Sequence, residues 1–382
     1  MFVYKLSDYI FLSEISFLIF WFIFAIFLSN ILRKDNFNKS IYNYLILLYI
    51  FLSIISIIRI YFDFLPFTPD SIYYLDSYLR VDPIGPGSYE RFILLINTIF
   101  GENIKILIII NIFIYCLTIR ELILMVPDYN NQKFNIFFLF TFFFPSIIWF
   151  IPNILRESIF IYFIVMVLKY SLIIDNKNHN LTLKVISKII LFSILSFLVR
   201  PQILPILFIW LTYILTKRNF ISLLISTFIG FVVSQSTYIQ SQIMRKLSFH
   251  YLESFKTEAS SSHESIAFTN LIIPGNLLEL LYYAPFLMIR FLFSPFPWEL
   301  TNIRYAFAYF DSIMVCFFIM ILIKNILRKR IFNYNIIFFS FLFIFILSIF
   351  EISFTGSVRH RMPFIITLLP CLIFINNEKT NE

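Results

Sequence analysis

The sequence predicts an all-α fold: a polytopic integral membrane helix bundle of about 11 transmembrane helices (range about 10 to 12), with a large outer loop and a re-entrant or interfacial segment. Hydrophobic residues make up 60% of the chain and charged residues only 14%. The mean hydropathy is +0.85, far above what the surface of a water-soluble domain carries. The third observation is a series of apolar runs of membrane-spanning length, so the bilayer is the predicted solvent.

These apolar runs follow one another along the whole chain. They lie at residues 15–32, 43–62, 105–119, 134–151, 158–174, 185–199, 203–216, 220–236, 307–327, 332–350 and 363–376. Each run approaches the length that a helix needs to cross the hydrocarbon core. Glycine occurs 6 times and phenylalanine 52 times, which predicts helix packing through large side chains. No soluble domain is recognisable, so we predict a single transmembrane domain over residues 1–382.

The basic residues between the runs predict the orientation. With the N-terminus outside, five basic connections fall in the cytoplasm, as the positive-inside rule requires. These connections contain Arg33, Lys34 and Lys39; Arg120 and Lys133; Lys169 to Lys188; Lys217 and Arg218; and Lys324 to Arg330. Three outer regions remain: a first large periplasmic loop at 63–104, a second periplasmic region at 234–306, and a short turn at 351–363.

One apolar stretch, at residues 275–294, does not fit this alternation. It contains Glu279, Pro285 and Arg290, and counting it as a full span would move the basic residues 324–330 to the outer side. We therefore predict a re-entrant or interfacial segment, which is tolerated where protein or water covers its backbone. A twelfth transmembrane helix is the alternative.

Composition also excludes several classes of function. The basic residues behind the net charge of +8 are dispersed between apolar runs instead of forming a basic face, so we expect no nucleic-acid partner. Cys116, Cys316 and Cys371 lie singly inside apolar runs and the histidines are scattered, so we expect no metal site. Motifs for nucleotide or nicotinamide binding are absent from the sequence, and no cofactor is expected.

Charged residues close to the hydrocarbon region are candidates for function because they are costly there. Arg156 and Glu157 occur in FPSIIWFIPNILRES, where two prolines should break a helix just before it reaches the outer surface. Arg200 occurs in FLVRPQILP, at a tight turn between two spans. Such arginines could hold an anionic substrate. The alternatives are an ion pair between Arg156 and Glu157, or arginines that anchor to lipid headgroups.

A second basic group stands immediately before the last apolar run. Arg359, His360 and Arg361 occur in SVRHRMPF, in a predicted outer turn, and Arg290 could add a fourth cation. Cations outside oppose the positive-inside trend, so an anionic partner is expected. Phosphate or pyrophosphate matches guanidinium groups bidentately. The alternative is a patch against anionic lipid headgroups.

The acidic counterpart lies in the first large outer loop. Asp63, Asp70 and Asp76 occur in DFLPFTPDSIYYLDSYLRVD, and a positioned carboxylate can serve as general base in glycosyl transfer. Asp70 and Asp76 are the stronger candidates. Asp70 follows a proline at the predicted start of a short helix, so helix capping is the alternative interpretation.

Taken together, these motifs resemble those of membrane enzymes of bacterial surface-polysaccharide synthesis. The resemblance is to O-antigen or repeat-unit polymerases of the Wzy type and to the related GT-C glycosyltransferases. It rests on short stretches spread over most of the chain: Asp70 in the outer loop, PSIIWFIPNILRES with Arg156 and Glu157, LVRPQ with Arg200, SPFPWE with Trp298 and Glu299, and RHRMPF with Arg359 and Arg361.

The resemblance implies a glycosyltransferase of the bacterial inner (plasma) membrane that joins undecaprenyl-pyrophosphate-linked oligosaccharides on the periplasmic side. The implied catalytic residues are Asp70, Arg200 and Arg359. The implied substrate-binding residues are Arg156, Glu157, Arg361, His360, Asp76, Arg290 and Trp298. The arginines would hold the pyrophosphate leaving group, and Asp70 would act as base or orient the acceptor. The implied partners are the lipid-linked oligosaccharide, membrane lipids and a chain-length regulator protein.

Two other functions remain open. A GT-C glycosyltransferase that adds one sugar from a polyprenyl-phosphate donor would need the same outer anion site. A flippase for lipid-linked oligosaccharides belongs to another class, and such transporters place ionisable residues near the bilayer midplane and often show two related halves. Here the predicted charges lie at helix ends, and no internal repeat is visible.

Overall fold

The computed structural model describes residues 14–62, 91–93, 95, 96, 98, 104–176, 183–200, 203–215, 277–299, 306–328, 333–351 and 353–373. Within these residues every regular element is a helix, and no β-strand is formed. The predicted all-α class is therefore confirmed for the part of the chain that is described. The chain divides into two compact units, and the prediction of a single transmembrane domain over 1–382 stays a prediction.

The first unit comprises Met1–Lys169, Ser187–Pro201 and Ile373–Glu382. Its helices are α1 (Glu14–Lys34), α2 (Lys39–Phe62), α3 (Ile104–Leu124), α4 (Asn135–Phe143), α5 (Pro145–Phe150), most of α6 (Glu157–Asn176) and most of α7 (Leu183–Val199). Helix α3 packs against both α1 and α2, and α2 also packs against α4. The residues from 105 to 112 are all buried, so α3 forms the centre of this unit.

The second unit comprises Tyr170–Ile186 and Gln202–Leu372. Its helices are α8 (Leu204–Leu215), α9 (Leu277–Phe293), α10 (Ala306–Leu327), α11 (Tyr334–Phe350) and α12 (Phe354–Leu368), with 3-10 turns at Pro297–Glu299 and Leu369–Leu372. Helix α11 packs against α8, α9 and α12, while α10 packs against α9 and α12. Large aromatic side chains fill the contact of α8 with α11, where Trp210 meets Phe339 edge to face.

Four helices in the described residues are long and apolar enough to cross a membrane. They cover Phe17–Lys34, Lys39–Ile60, Lys105–Leu124 and Ala306–Leu327. Shorter apolar helices occur at Pro205–Ile214 and Tyr334–Ile349. These helices support an integral membrane protein. The count of about 11 spans stays a prediction, and the predicted span at 220–236 lies outside the described residues.

The predicted helix break before Arg156 is confirmed. Phe144 has an extended backbone (ψ 120°) and separates α4 from α5, as expected for a residue that precedes a proline. Pro145 occupies the first turn of α5, where its missing N–H costs no hydrogen bond. The chain then leaves the helix after Phe150 and resumes helical structure at Glu157.

The predicted outer turn at 351–363 is wrong in its second part, because α12 already begins at Phe354. Ser353 caps this helix by accepting a hydrogen bond from the amide of Gly356 at 3.1 Å. Arg359, His360 and Arg361 therefore lie on a helix. Segment 277–293 is one 17-residue helix that contains Pro285, and its re-entrant placement stays a prediction.

Candidate functional site

Two side chains from other helices stabilise the helix break between α5 and α6 through hydrogen bonds to its carbonyls. Arg59 of α2 donates from Nη1 to the carbonyl of Pro152 at 2.9 Å and from Nη2 to that of Trp149 at 2.8 Å. Asn111 of α3 donates from Nδ2 to the carbonyls of Asn153 and Leu155, at 2.7 and 3.0 Å. Four carbonyls that lack a regular helical partner are thereby satisfied.

Glu157, the first residue of α6, forms an ion pair with Arg200 after α7. Arg200 Nη2 lies 2.9 Å from Glu157 Oε1, and the two side chains are 4% and 0% exposed. The guanidinium of Arg200 also lies over the ring of Phe160, 5.1 Å from its centroid. The partner of Glu157 is thus Arg200, 43 residues away, and not the neighbouring Arg156.

Arg156 is the least engaged of the three arginines at the break. Its Nη1 donates to the carbonyl of Val199 at 3.3 Å, near the C-terminus of α7. Its Nε is buried and meets no hydrogen-bond acceptor among the described residues, while the residue as a whole is partly exposed. A guanidinium has five N–H donors, so Arg156 has donors left for a ligand.

The break therefore carries an excess of positive charge. Arg59, Arg156 and Arg200 contact this segment or its flanks, and among the described carboxylates only Glu157 contacts one of them, Arg200. Among the described residues, Arg59 and Arg156 therefore have no carboxylate partner. Arg59 is 1% exposed and its partners are neutral carbonyls, and buried charge of this kind favours binding of an anion.

An ionic cluster farther along α3 is balanced instead. Arg120 forms a bidentate pair with Asp35, from Nε to Oδ2 at 2.5 Å and from Nη2 to Oδ1 at 2.7 Å. Arg120 also contacts Glu121, whose other oxygen lies 2.5 Å from Nζ of Lys169. Two cations meet two carboxylates, so this cluster fits a structural role that ties α3 to the α1–α2 connection and to α6.

In the second unit, Arg361 is fully buried and each of its three guanidinium nitrogens donates a hydrogen bond. Nε donates to Asp311 Oδ2 at 2.8 Å, and Nη2 lies 2.6 Å from the same oxygen. Nη1 donates to the carbonyls of Leu292 and Ser294 at 2.6 and 2.9 Å, and Nη2 also donates to Ser312 Oγ at 3.0 Å. Arg361 thus joins α12 to α10 and to the end of α9.

The turn after α9 is fixed by Glu299. Its Oε2 accepts hydrogen bonds from Ser294 Oγ at 3.0 Å and from the amide of Phe296 at 2.9 Å. Its Oε1 lies 3.2 Å from Nη2 of Arg290. This turn presents Trp298, which is 78% exposed and stacks on the ring of Phe296 with centroids 4.9 Å apart.

The start of α12 contains a pair of a carboxylate and a histidine. Glu351 Oε2 lies 2.7 Å from His360 Nδ1, and Oε1 accepts a hydrogen bond from the amide of Ser353 at 3.2 Å. A Cβ at position 356 would overlap Glu351 Oε1 and approach Ser353 Oγ to 2.9 Å. Gly356 is therefore required for the carboxylate to fold over the first turn of the helix, where the helix dipole favours it.

No family model, curated protein or solved structure matches this chain. Its function must therefore follow from its own side chains. Among the described residues, no three His, Cys, Asp or Glu side chains are grouped as a metal ion would need.

The structure brings some of the predicted site residues together. Arg156, Glu157 and Arg200 meet around the break in the first unit. Five other predicted site residues lie in the second unit, where each has its own surroundings. Arg290 pairs with Glu299, His360 with Glu351 and Arg361 with Asp311, while Arg359 is buried and Trp298 is exposed. Asp70 and Asp76 lie outside the described residues, and so does Asp63.

Three partners in these clusters were missed from the sequence: Arg59, Asp311 and Glu351. Arg59 is the only charge in the apolar run 43–62, and Asp311 is the only acid in the run 307–327, which is the signal that could have identified them. Glu351 was read only as the start of the predicted turn.

Proposed function

We propose that this chain is a membrane-embedded glycan polymerase, which joins undecaprenyl-pyrophosphate-linked oligosaccharide repeat units on the periplasmic side of the inner membrane. The observation that carries the proposal is the excess of buried positive charge at the break between α5 and α6. There, Arg200 pairs with Glu157, whereas Arg59 and Arg156 have no carboxylate partner among the described residues. A diphosphate is the anion that best fits several guanidinium groups at one place.

The geometry of the break supports an anion rather than a neutral ligand. Helix α6 is 20 residues long and begins at the break, so the positive end of its dipole adds to the arginine charges. The carbonyls of the break are turned to Arg59 and Asn111. Their negative ends are thus masked by donors, which lowers their repulsion of an approaching phosphate.

In this proposal Arg156 binds the diphosphate directly, because it is partly exposed and has donors to spare. Arg200 is engaged with Glu157 and Phe160, so it acts as a positioning residue for the first turn of α6. When the glycosidic bond to the carrier breaks, the departing diphosphate gains charge, and fixed cations stabilise that charge. Activation of the acceptor hydroxyl is assigned to Asp70 on the resemblance alone.

The test is the pattern of polysaccharide chain lengths in a deletion strain complemented with variants. The deletion should leave single repeat units on lipid A core, and the wild-type gene should restore the ladder. Arg156→Lys retains the charge but loses the planar fork, so we expect a loss of long chains of roughly tenfold or more. The matched control is Arg328→Lys, at an exposed residue after α10, which should restore the ladder fully.

Each variant must first be shown to reach the membrane at the wild-type level. A deletion that removes even the first repeat unit would favour the single-sugar transferase or the flippase. An Arg156→Lys variant that restores a normal ladder would contradict the diphosphate site and leave a lipid anchor as the role of Arg156.

A further inference from the structure

A groove of about 590 Å³ runs between α1 and α2 of the first unit, away from the helix break. Ile26, Asn30 and Arg33 line it on successive turns of α1, and Asn43 and Leu47 line it on α2. The residues on α1 span two helical turns, which gives the groove a length of about 10 Å.

Two contacts fix the walls of this groove. Ser29 Oγ and Tyr42 OH are hydrogen bonded at 2.7 Å. Two turns away, Tyr49 OH donates to the carbonyl of Trp21 at 3.1 Å, and the two rings stack with centroids 5.7 Å apart. Between these contacts α1 carries Ala25, whose small side chain leaves the space open. The groove is therefore a built feature of two antiparallel helices.

The groove changes from apolar to polar along its length. At one end Ile26 and Leu47 are 58% and 57% exposed, so a hydrocarbon chain can lie against them. At the other end Asn30, Asn43 and Arg33 supply amide and guanidinium donors. An occupant that matches both ends is an amphiphile with an anionic head.

The basic residues near the polar end of the groove favour a lipid with an anionic head group. Arg33 and its neighbours Lys34 and Lys39 are exposed and form no ion pair with any described carboxylate. The nearest acid in sequence, Asp35, is taken up by Arg120. A phosphate in the groove therefore meets Arg33, with Lys34 and Lys39 close to it in the sequence, whereas an ammonium head group would find no acidic residue in the groove lining.

We propose that this groove binds an anionic phospholipid. Its phosphate lies against Arg33 and the two asparagines, and one acyl chain runs along Ile26 and Leu47. This site is independent of the proposed enzymatic activity. A phospholipid without an ammonium group, such as phosphatidylglycerol, is favoured over phosphatidylcholine because the charged residue that lines the groove is the cation Arg33.

Native mass spectrometry of the purified full chain, titrated with phosphatidylglycerol or phosphatidylcholine in detergent, tests this site. Wild-type protein should bind the first phosphatidylglycerol more tightly than phosphatidylcholine. Arg33→Gln should weaken phosphatidylglycerol binding by about fivefold and leave phosphatidylcholine unchanged. Lys133→Gln, an exposed lysine outside the groove lining, is the control and should change neither affinity.

A second variant separates the groove from surface charge. Ala25→Leu keeps all three cations but fills the space between the walls, so it should also weaken binding of phosphatidylglycerol. Equal losses for Arg33→Gln and Lys133→Gln would overturn the proposal, because they indicate attraction by net charge alone. Equal wild-type affinities for the two lipids would overturn it as well.

Discussion

Replacing Asp311 by asparagine should destabilise the second unit strongly while preserving the shape of the side chain. Asp311 and Arg361 are both 0% exposed and lie 2.6 Å apart. Asparagine can still accept a hydrogen bond from Arg361, but it removes the buried negative charge that compensates the guanidinium. Removing one partner of a buried ion pair costs about 3–5 kcal/mol.

The other contacts of Arg361 predict a larger loss of stability when Arg361 itself is replaced. Arg361→Met leaves the Asp311 carboxylate buried without its cation and also removes the donor of the Leu292 carbonyl. The Ser294 carbonyl still accepts a hydrogen bond from Ser312 Oγ at 2.7 Å. An unsatisfied buried carbonyl adds about 1–3 kcal/mol. Arg361→Met should therefore be more destabilising than Asp311→Asn, and combining it with Asp311→Leu should recover only the ionic part of the loss.

Heating detergent-solubilised protein, followed by fluorescence-detected size-exclusion chromatography, measures these effects. For a unit of this size, about 3–5 kcal/mol corresponds to a lower Tm by roughly 6–20 °C. Asp128→Asn is the matched control, because Asp128 is exposed with a positive φ of 46° that asparagine also adopts. If Asp311→Asn melts at the control temperature, the ion pair does not hold α10 and α12 together.

Two further perturbations test other contacts. Gly356→Ala should lower the free energy of unfolding by about 1–3 kcal/mol, and with it Tm, because the new Cβ displaces the Glu351 carboxylate. At an ordinary helix position the same change would increase stability. A raised Tm would therefore contradict the described contact. Arg59→Lys should cost about 1.5–3 kcal/mol, since an ammonium cannot reach both carbonyls that Arg59 now holds; the same thermal assay measures it, and wild-type stability would show that the break does not depend on the guanidinium.

Within the described residues, the sequence predicted most helix positions and the helix break at Pro145, because both follow from local chemistry; the turn predicted at 351–363 was wrong from Phe354 onward. Apolar runs of spanning length need no tertiary information, and Pro145 disrupts a helix whatever surrounds it. The basic connections were also informative. Asp35, Arg120 and Lys169 lie in predicted cytoplasmic connections or at their edges, and the structure brings all three into one cluster.

Ionic partners could not be predicted, because they depend on helix rotation and packing. Glu157 stands beside Arg156 in the sequence, yet Arg156 lies in the break and Glu157 begins α6, and Glu157 pairs with Arg200 instead. Arg361 finds Asp311, 50 residues earlier. The sequence marked Arg361 as a candidate for substrate binding, and that role stays a prediction; in the structure Arg361 is buried and holds α12 against α10 and the end of α9.

The hydrogen bonds of Arg59 and Asn111 also predict which positions of this protein tolerate substitution. They supply hydrogen bonds to the break through its carbonyls, which every residue carries whatever its side chain. Residues such as Ile154 and Leu155 can therefore drift between apolar types without losing the break. Arg59 on α2 and Asn111 on α3 cannot be replaced in the same way, because their side chains supply the donors. The positions least tolerant of mutation should therefore lie far in sequence from the break that they stabilise.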